Sequence, residues 1–235
     1  MTAHLLPQQP FGTVEALPFL LQLASPALPV GAYSYSEGLE FLVETGTITT
    51  DTELESWIRQ ELSYGAIRIE TAVLARMYRA FLIQDLETTG NWNRWLSAMR
   101  ETKELREQNW QMGQALARLM RSLQPDLVAP LDAIGHPHNF STVFAVAAVH
   151  WKIELEAALL GYLHSWMTNL MNAGIKLIPL GQTAGQNLLV DLYPTLRQTI
   201  QQGLELSDDE LYSCSWGAAI ASMNHETLYS RLFRS

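Results

Sequence analysis

The stretch Gly174–Val190, GIKLIPLGQTAGQNLLV, carries a single ionisable side chain, that of Lys176. A proline removes a backbone hydrogen bond from any helix interior, so Pro179 predicts that the apolar run before it ends near Ile178. A second helix is expected to follow over Leu180–Leu192. The buried parts of the fold are therefore expected to meet at this corner.

Gly181, Ala184 and Gly185 would form one face of that second helix, and this face has almost no side chain. A glycine inside a helix costs about 1 kcal/mol relative to alanine, so two of them indicate a structural requirement. One interpretation is close packing of helices within one bundle. The other is a contact face for a partner or for a second copy of the chain.

The composition favours a large core that is shared with another protein. The chain has 235 residues, of which 48% are hydrophobic and only 17% are charged. A charged fraction below the usual value of about 25% leaves much apolar surface to cover. The sequence therefore indicates a deep core, an oligomer or a stable partner, and we expect a homodimer.

The net charge of −9 argues against nucleic acid as a partner. No Lys or Arg precedes Arg59, so no secretory signal is expected. Cys214 is the only cysteine, which excludes an internal disulfide and favours the cytoplasm. The uncharged runs Ala133–Trp151 and Ala157–Ile175 contain too many polar groups for membrane spans, and we interpret both as buried segments of a bundle.

Helical periodicity dominates the chain, and no segment shows the alternation of a β-strand. The sequence predicts an all-α fold, a single domain over residues 13–235 with about eight to ten helices. Residues 1–12 are expected to form a flexible arm, and Thr13 could cap the first helix. The last residues, about 225–235, are expected to form an interaction tail, because they are too few for a helix that is stable alone.

The sequence offers little that is typical of a catalytic site. It has no phosphate-binding loop with a lysine, no nucleophile elbow and no HExxH pair. His136 and His138 flank a proline and are the only candidates for a metal site, although a two-histidine site lacks a third ligand. The alternative is a turn whose imidazoles bond to the backbone. Cys214 is expected to be a buried structural residue on an apolar helix.

Other side chains are typical of protein interfaces, where Tyr and Arg are enriched. A Lys in an uncharged stretch must reach water, pair with a carboxylate or meet an acidic partner, and Lys176 is such a residue. The candidate partner-binding residues are Tyr33, Tyr35, Glu37, Lys176, Gln182, Gln186, Tyr229, Arg231, Phe233 and Arg234.

Five segments together resemble the urease accessory protein UreF family. They are LLQLASPALPVGAYSYSEGLE, RETKELREQ, HPHNF, KLIPLGQTAGQNLL and LYSRLFRS, which occur in the family order and span Leu20–Ser235. The resemblance implies an all-α homodimer without catalytic activity or cofactor. It implies a bridge between the accessory protein UreD (also called UreH) and the nickel-carrying GTPase UreG, in an assembly that delivers nickel to apo-urease.

Two further hypotheses stand beside this one. The first is a helical enzyme or metal-binding protein that uses His136 and His138, or Cys214, in a buried pocket. The second is a GTPase-activating protein that lends an Arg or a Gln to the active site of UreG. The sequence does not decide whether UreG would be stimulated or restrained.

Overall fold

The computed structural model describes residues 14–234. Over this range the chain folds into α-helices joined by loops and short 3-10 turns, and the described part contains no β-strand. The predicted all-α fold is confirmed. The helices are α1 (Leu17–Leu23), α2 (Leu39–Glu44), α3 (Asp51–Tyr64), α4 (Ala66–Leu82), α5 (Leu86–Met99), α6 (Lys103–Leu123), α7 (Val128–Ile134), α8 (Phe140–His150), α9 (Leu155–Leu177), α10 (Gln182–Glu205) and α11 (Trp216–His225).

The core is built around α4 and α8, which pack against each other and are each covered by further helices. Helix α8 comes from the uncharged run Ala133–Trp151, and Val143, Phe144 and Val146 are fully buried in it. Helix α9, from the second uncharged run, packs on α4, α8 and α10. No helix in the described part of the chain is long and apolar enough to cross a membrane.

Residues 14–234 form eleven α-helices where eight to ten were predicted, and two local features explain the difference. The periodic pattern that starts at Thr50 is divided at Gly65, whose extended backbone separates α3 from α4. A Cβ at Gly65 would collide with Glu61, so the break requires glycine. Helix α7 forms in spite of Pro130, because this proline lies in the first turn, where a backbone N–H would have no intrahelical acceptor in any case.

Local capping fixes the start of α3, as the sequence indicates. The Glu53 N–H donates to Thr50 Oγ1 over 3.2 Å, and the Thr50 N–H donates back to Glu53 Oε2 over 3.1 Å. This reciprocal arrangement satisfies two backbone donors that the helix itself cannot pair. The predicted arm over residues 1–12, the proposed cap Thr13 and Ser235 lie outside the described residues.

Candidate partner-binding site

A cleft of about 240 Å³ lies where α9 ends, between the loop that precedes α2, the start of α10 and the C-terminal tail. We call it the α9–tail cleft. Four residues that the sequence singled out line it together, although they are far apart in the chain. They are Tyr33, Lys176, Gln182 and Phe233.

Lys176 lies in the last turn of α9, where the helix dipole favours a cation. Its side chain is exposed, and Nζ lies 5.7 Å from the centre of the Phe233 ring. Such a distance allows a cation–π interaction, which leaves the ammonium group in contact with solvent. Among the described residues that line the cleft there is no carboxylate. The α9–tail cleft is therefore a cationic site in an acidic protein.

The tail is held against the body by the Glu40 carboxylate of α2. The Leu232 N–H donates to Glu40 Oε1 over 2.6 Å, and the Phe233 N–H donates to Oε2 over 3.1 Å. The His225 ring nitrogen Nε2 lies 2.6 Å from Oε2 of the same carboxylate. We call this set of contacts the tail latch. Charge-assisted hydrogen bonds of this kind are stronger than neutral ones, so Glu40 fixes the path of the tail.

Close approach of the backbones places Glu40 next to α11. Gly38, with φ +86°, precedes α2, and a Cβ there would lie 2.8 Å from the Ser222 backbone nitrogen. Only glycine fits both the left-handed backbone and this separation. Glu40 and His225 are brought together because Gly38 allows α2 to approach α11.

The tail divides into one buried residue and several exposed ones. Phe233 is only 6% exposed and belongs to the core, so in the isolated chain it is not available as an outward contact. Tyr229 is fully exposed, and Arg231 and Arg234 also face solvent. The Arg234 N–H donates to the Ser34 carbonyl over 2.8 Å, which completes the attachment. The tail therefore presents one tyrosine and two arginines on a fixed backbone.

Two other predicted site residues do not reach the surface of the cleft. Tyr35 is 5% exposed, and its hydroxyl donates to Gln111 Oε1 over 2.8 Å. Gln186 is exposed on α10 but does not line the cleft, whereas Gln182, one turn earlier, does. Tyr33, which is 69% exposed, is thus the outward residue of the pair Tyr33 and Tyr35.

Glu37 points into the protein. Its carboxylate accepts hydrogen bonds from Trp166 Nε1 over 2.9 Å and from Gln108 Nε2 over 3.0 Å. Burial raises the pKa of Glu37, and the hydrogen bonds and the nearby Arg100 charge oppose that shift only in part. The structure thus gives this residue an interior position, in place of the surface position that a direct partner contact requires.

An ion pair lies next to Glu37 in the interior. Glu70 pairs with Arg100 and also accepts hydrogen bonds from Asn109 Nδ2 over 2.7 Å and from Ser141 Oγ over 3.1 Å. Tyr162 of α9 lies beside this pair. Burial raises the pKa of its hydroxyl well above the ordinary value, and the Glu70 charge raises it further. The cluster joins α4, α5, α6 and α8 below the α9–tail cleft.

The small-residue face at the start of α10 is explained largely by packing inside the chain. A Cβ at Gly185 would collide with Ile175 of α9, so glycine there lets α9 and α10 approach closely. Gly181 is the residue before α10 begins, and a Cβ there would meet nothing. Ala184 is half-buried. The structure therefore supplies a reason for Gly185 that does not need a second copy.

The two histidines of the HPHNF turn lie close together, with ring centres 4.3 Å apart. His138 is buried, its Nε2 lies 2.8 Å from the Leu131 carbonyl, and burial lowers the pKa of its imidazole. His136 is exposed, and its nearest acidic oxygen, on Asp132, is 3.9 Å away. Among the described residues, no three His, Cys, Asp or Glu side chains lie close enough together to hold a metal ion.

We predict that His136 and His138 are structural. Replacing both with Gln is expected to leave urease activation within about twofold of wild type as long as the turn still folds, since the two rings have no third ligand with which to hold a metal ion. Some stability should be lost, because His138 is buried and bonded to the Leu131 carbonyl. The measurement is activation of apo-urease by a preparation that is shown by circular dichroism to be folded. Loss of activation while the partner complexes still form would support a metal site instead.

Cys214 differs from its prediction. It is exposed, and it lies in the loop before α11 and not on a helix. The apolar helix begins only at Trp216. The loop before it is attached to the end of α3, because the Cys214 N–H donates to the Tyr64 carbonyl over 3.1 Å. The buried structural role predicted for this thiol is therefore wrong.

Sequence reasoning missed Glu40 and His225, which form the tail latch. Nothing local distinguishes Glu40 from an ordinary first-turn acid of a short helix. Its partners lie 185 to 193 positions later in the chain, and two of them are backbone N–H groups. Only a three-dimensional arrangement reveals such contacts.

Comparison with known proteins gives one consistent result. The model of the UreF family matches residues 48–193. The chain is 56% identical to the urease accessory protein UreF of Trichormus variabilis over 92% of this chain and 94% of that protein. It is 50% identical to the UreF of Synechocystis over 92% and 96% of the two chains. It is 44% identical to the UreF of Alkalilimnicola ehrlichii over 92% and 94%.

Proposed function

This chain belongs to the UreF family of urease accessory proteins, and we propose that it is a non-catalytic bridge between UreD and the GTPase UreG. Through this bridge UreG is recruited and its activity modulated while nickel is inserted into apo-urease. In this proposal nickel is cargo of the assembly and not a resident cofactor of the chain. The observation that carries the proposal is the α9–tail cleft, in which four interface-type residues converge without catalytic groups.

The chemistry of the cleft supports a protein ligand with acidic groups. Lys176 is exposed beside an aromatic ring, and amide groups that could bond to a partner backbone lie nearby on Asn169, Asn172 and Gln182. Arg234 is attached directly next to the loop that carries Tyr33. Cations at the rim of an interface raise the association rate and select partners of opposite charge. We assign this face to UreG.

We further propose that the bridge works as a homodimer in the cytoplasm, where the exposed Cys214 remains reduced. Large apolar side chains remain exposed on several helices of the single chain, among them Leu21, Val190 and Ile220. A stable dimer should bury at least about 1,000 Å² in total, and faces of this kind supply apolar area for it.

Replacing Lys176 with alanine is expected to weaken UreG recruitment by about 1–3 kcal/mol, or roughly fivefold to 150-fold, because a contact of the ammonium group that is desolvated on binding would be lost. UreD binding is expected to persist, since Lys176 is exposed and makes no ion pair in the described part of the chain. The measurement is a pull-down from a mixture of both purified partners.

Lys103→Ala is the matched control, because Lys103 is an exposed lysine on α6 whose Nζ lies 3.9 Å from Glu107. This variant should capture both partners normally. Normal capture of UreG by a folded Lys176→Ala protein would contradict the assignment of the α9–tail cleft.

A further inference from the structure

The loop between α1 and α2 forms one wall of the α9–tail cleft. Ala32 and the exposed Tyr33 of this loop line the cleft. The Ser34 carbonyl accepts the hydrogen bond from the Arg234 N–H, so the same loop also holds the last described residue of the tail. The shape of the cleft therefore depends on what fixes this loop.

The loop has an unusual backbone. Three of its residues are in the left-handed region, namely Gly31 with φ +78°, Glu37 with φ +53° and Gly38 with φ +86°. Glycine adopts this conformation freely, whereas the Cβ of a glutamate comes too close to the following carbonyl oxygen. A left-handed residue other than glycine persists where the surrounding structure holds it in place. The contacts of the Glu37 side chain are of this kind.

The Glu37 carboxylate joins the loop to two long helices. Trp166 Nε1 of α9 donates to Oε2 over 2.9 Å, and Gln108 Nε2 of α6 donates to Oε1 over 3.0 Å. A further bond runs from Asn169 Nδ2 of α9 to the Tyr35 carbonyl over 3.2 Å. Without the carboxylate the indole N–H would lose its acceptor, which is costly for a donor that is partly removed from water.

Only one layer of residues separates the Glu37 carboxylate from the cleft. A small cavity of about 40 Å³ lies on the inner side of the loop, and Glu37 and Trp166 line it. Ala32, Ser165 and Asn169 line both this cavity and the α9–tail cleft. A displacement of Glu37 would therefore reach the wall of the cleft directly.

We propose that Glu37 is a positioning residue of the α9–tail cleft. Its carboxylate holds the loop against α6 and α9, so that Tyr33 faces the incoming partner and the Ser34 carbonyl meets the tail. Glu37 itself does not touch the partner. This inference rests on the proposed function, because it explains how the surface assigned to UreG is formed before UreG binds.

Glu37→Gly tests the carboxylate separately from the backbone, since glycine accepts the left-handed conformation without strain. The Ser34 and Tyr35 N–H groups donate to the Gly31 and Ala32 carbonyls over 3.0 and 3.1 Å. Hydrogen exchange of these two amides should become at least about tenfold faster, and UreG recruitment should weaken at least about tenfold, because the cleft wall is no longer preorganised. Glu37→Gln keeps one acceptor oxygen and should restore most of both properties.

Two further variants separate the bond from other effects of glycine. Trp166→Phe removes one donor from the helix side and should change exchange and recruitment in the same direction. The double variant Glu37→Gly, Trp166→Phe should resemble Glu37→Gly alone, because both changes remove the same bond. Gln84→Gly is the matched control, since Gln84 is also left-handed, with φ +61°, and its side chain is exposed after α4. This control should leave loop exchange and UreG recruitment unchanged.

The outcomes separate this inference from the proposed function. Weaker UreG recruitment by Glu37→Gly with the loop amides still protected would show a direct partner contact and would overturn the positioning role. Faster exchange throughout the chain would overturn it too, because the carboxylate would then support the whole fold. Unchanged exchange and recruitment would also contradict it. If the wild-type chain captures no UreG, the proposed function is overturned, whereas loop exchange still decides whether Glu37 positions the cleft wall.

Discussion

Replacing Arg100 with alanine is expected to lower the free energy of unfolding by about 3–5 kcal/mol, because the Glu70 carboxylate would remain buried without its cation. Both side chains are less than 10% exposed. Burial lowers the pKa of Arg100, but the charges of Glu70, Tyr162 and Glu37 and the hydrogen bond to Glu70 together outweigh this effect, so the pKa is raised in the native protein. The ion pair connects the end of α5 to α4, in the region below the α9–tail cleft.

Urea denaturation of the purified chain measures this effect. The double variant Glu70→Gln, Arg100→Ala should recover a large part of the loss, because a neutral amide can still accept the hydrogen bonds from Asn109 and Ser141. The exposed pair between Lys103 and Glu107 provides the comparison, and Lys103→Ala should change the stability by less than about 0.5 kcal/mol. A loss below about 1 kcal/mol for Arg100→Ala would show that water or another cation compensates Glu70.

Replacing Glu40 with alanine is expected to release the C-terminal tail. The change removes the acceptor of the Leu232 and Phe233 N–H groups and leaves the buried His225 without its partner. Hydrogen bonds to a charged group contribute about 1.5–3 kcal/mol each, so protection of these two amides against hydrogen exchange should fall at least about a hundredfold. UreG recruitment should be lost with it, because Phe233 then leaves the cleft and Arg234 is no longer held beside Ser34.

Exchange rates measured by nuclear magnetic resonance or mass spectrometry over residues 226–234 provide the direct readout. Glu44→Ala changes an exposed acid at the end of the same helix and should leave the tail protected. Glu40→Gln keeps one acceptor oxygen and is expected to be intermediate. If the tail amides stay protected in Glu40→Ala, the packing of Phe233 alone holds the tail and the latch has no independent role.

The sequence predicted those features that depend on local chemistry. The apolar spacing from Leu54 onward predicted helix over the region of α3 and α4, and its start was expected at Thr50 or Asp51, where α3 begins. Pro179 predicted the end of α9, which the structure places at Leu177. Each of these signals lies within one or two helical turns of the residues that it fixes, so no tertiary information is needed.

Features that depend on distant parts of the chain were missed or misjudged. Glu37 has the appearance of a first-turn acid near a helix start, yet its carboxylate is bonded to Trp166 on α9. Phe233 was expected to contact a partner, whereas in the isolated chain it is buried in the core. Cys214 was expected to be buried because its neighbours are apolar, but it is exposed. Apolar residue type does not reveal that α11 directs its large side chains outward.

The α9–tail cleft shows the same division. Tyr33, Lys176 and Phe233 were each identified by residue type, and the structure adds that they line one cleft. Residue type is visible in the sequence, whereas the assembly of distant residues into one surface is not.

The most direct test of the bridge is size-exclusion chromatography with light scattering on a mixture of UreD, this chain and UreG with GTP and nickel. A single peak that contains all three proteins is expected for wild type. Lys176→Ala should lose UreG from this peak while UreD remains bound. Competition of UreD and UreG for the chain, so that no peak ever contains both, would contradict a bridge with two separate surfaces.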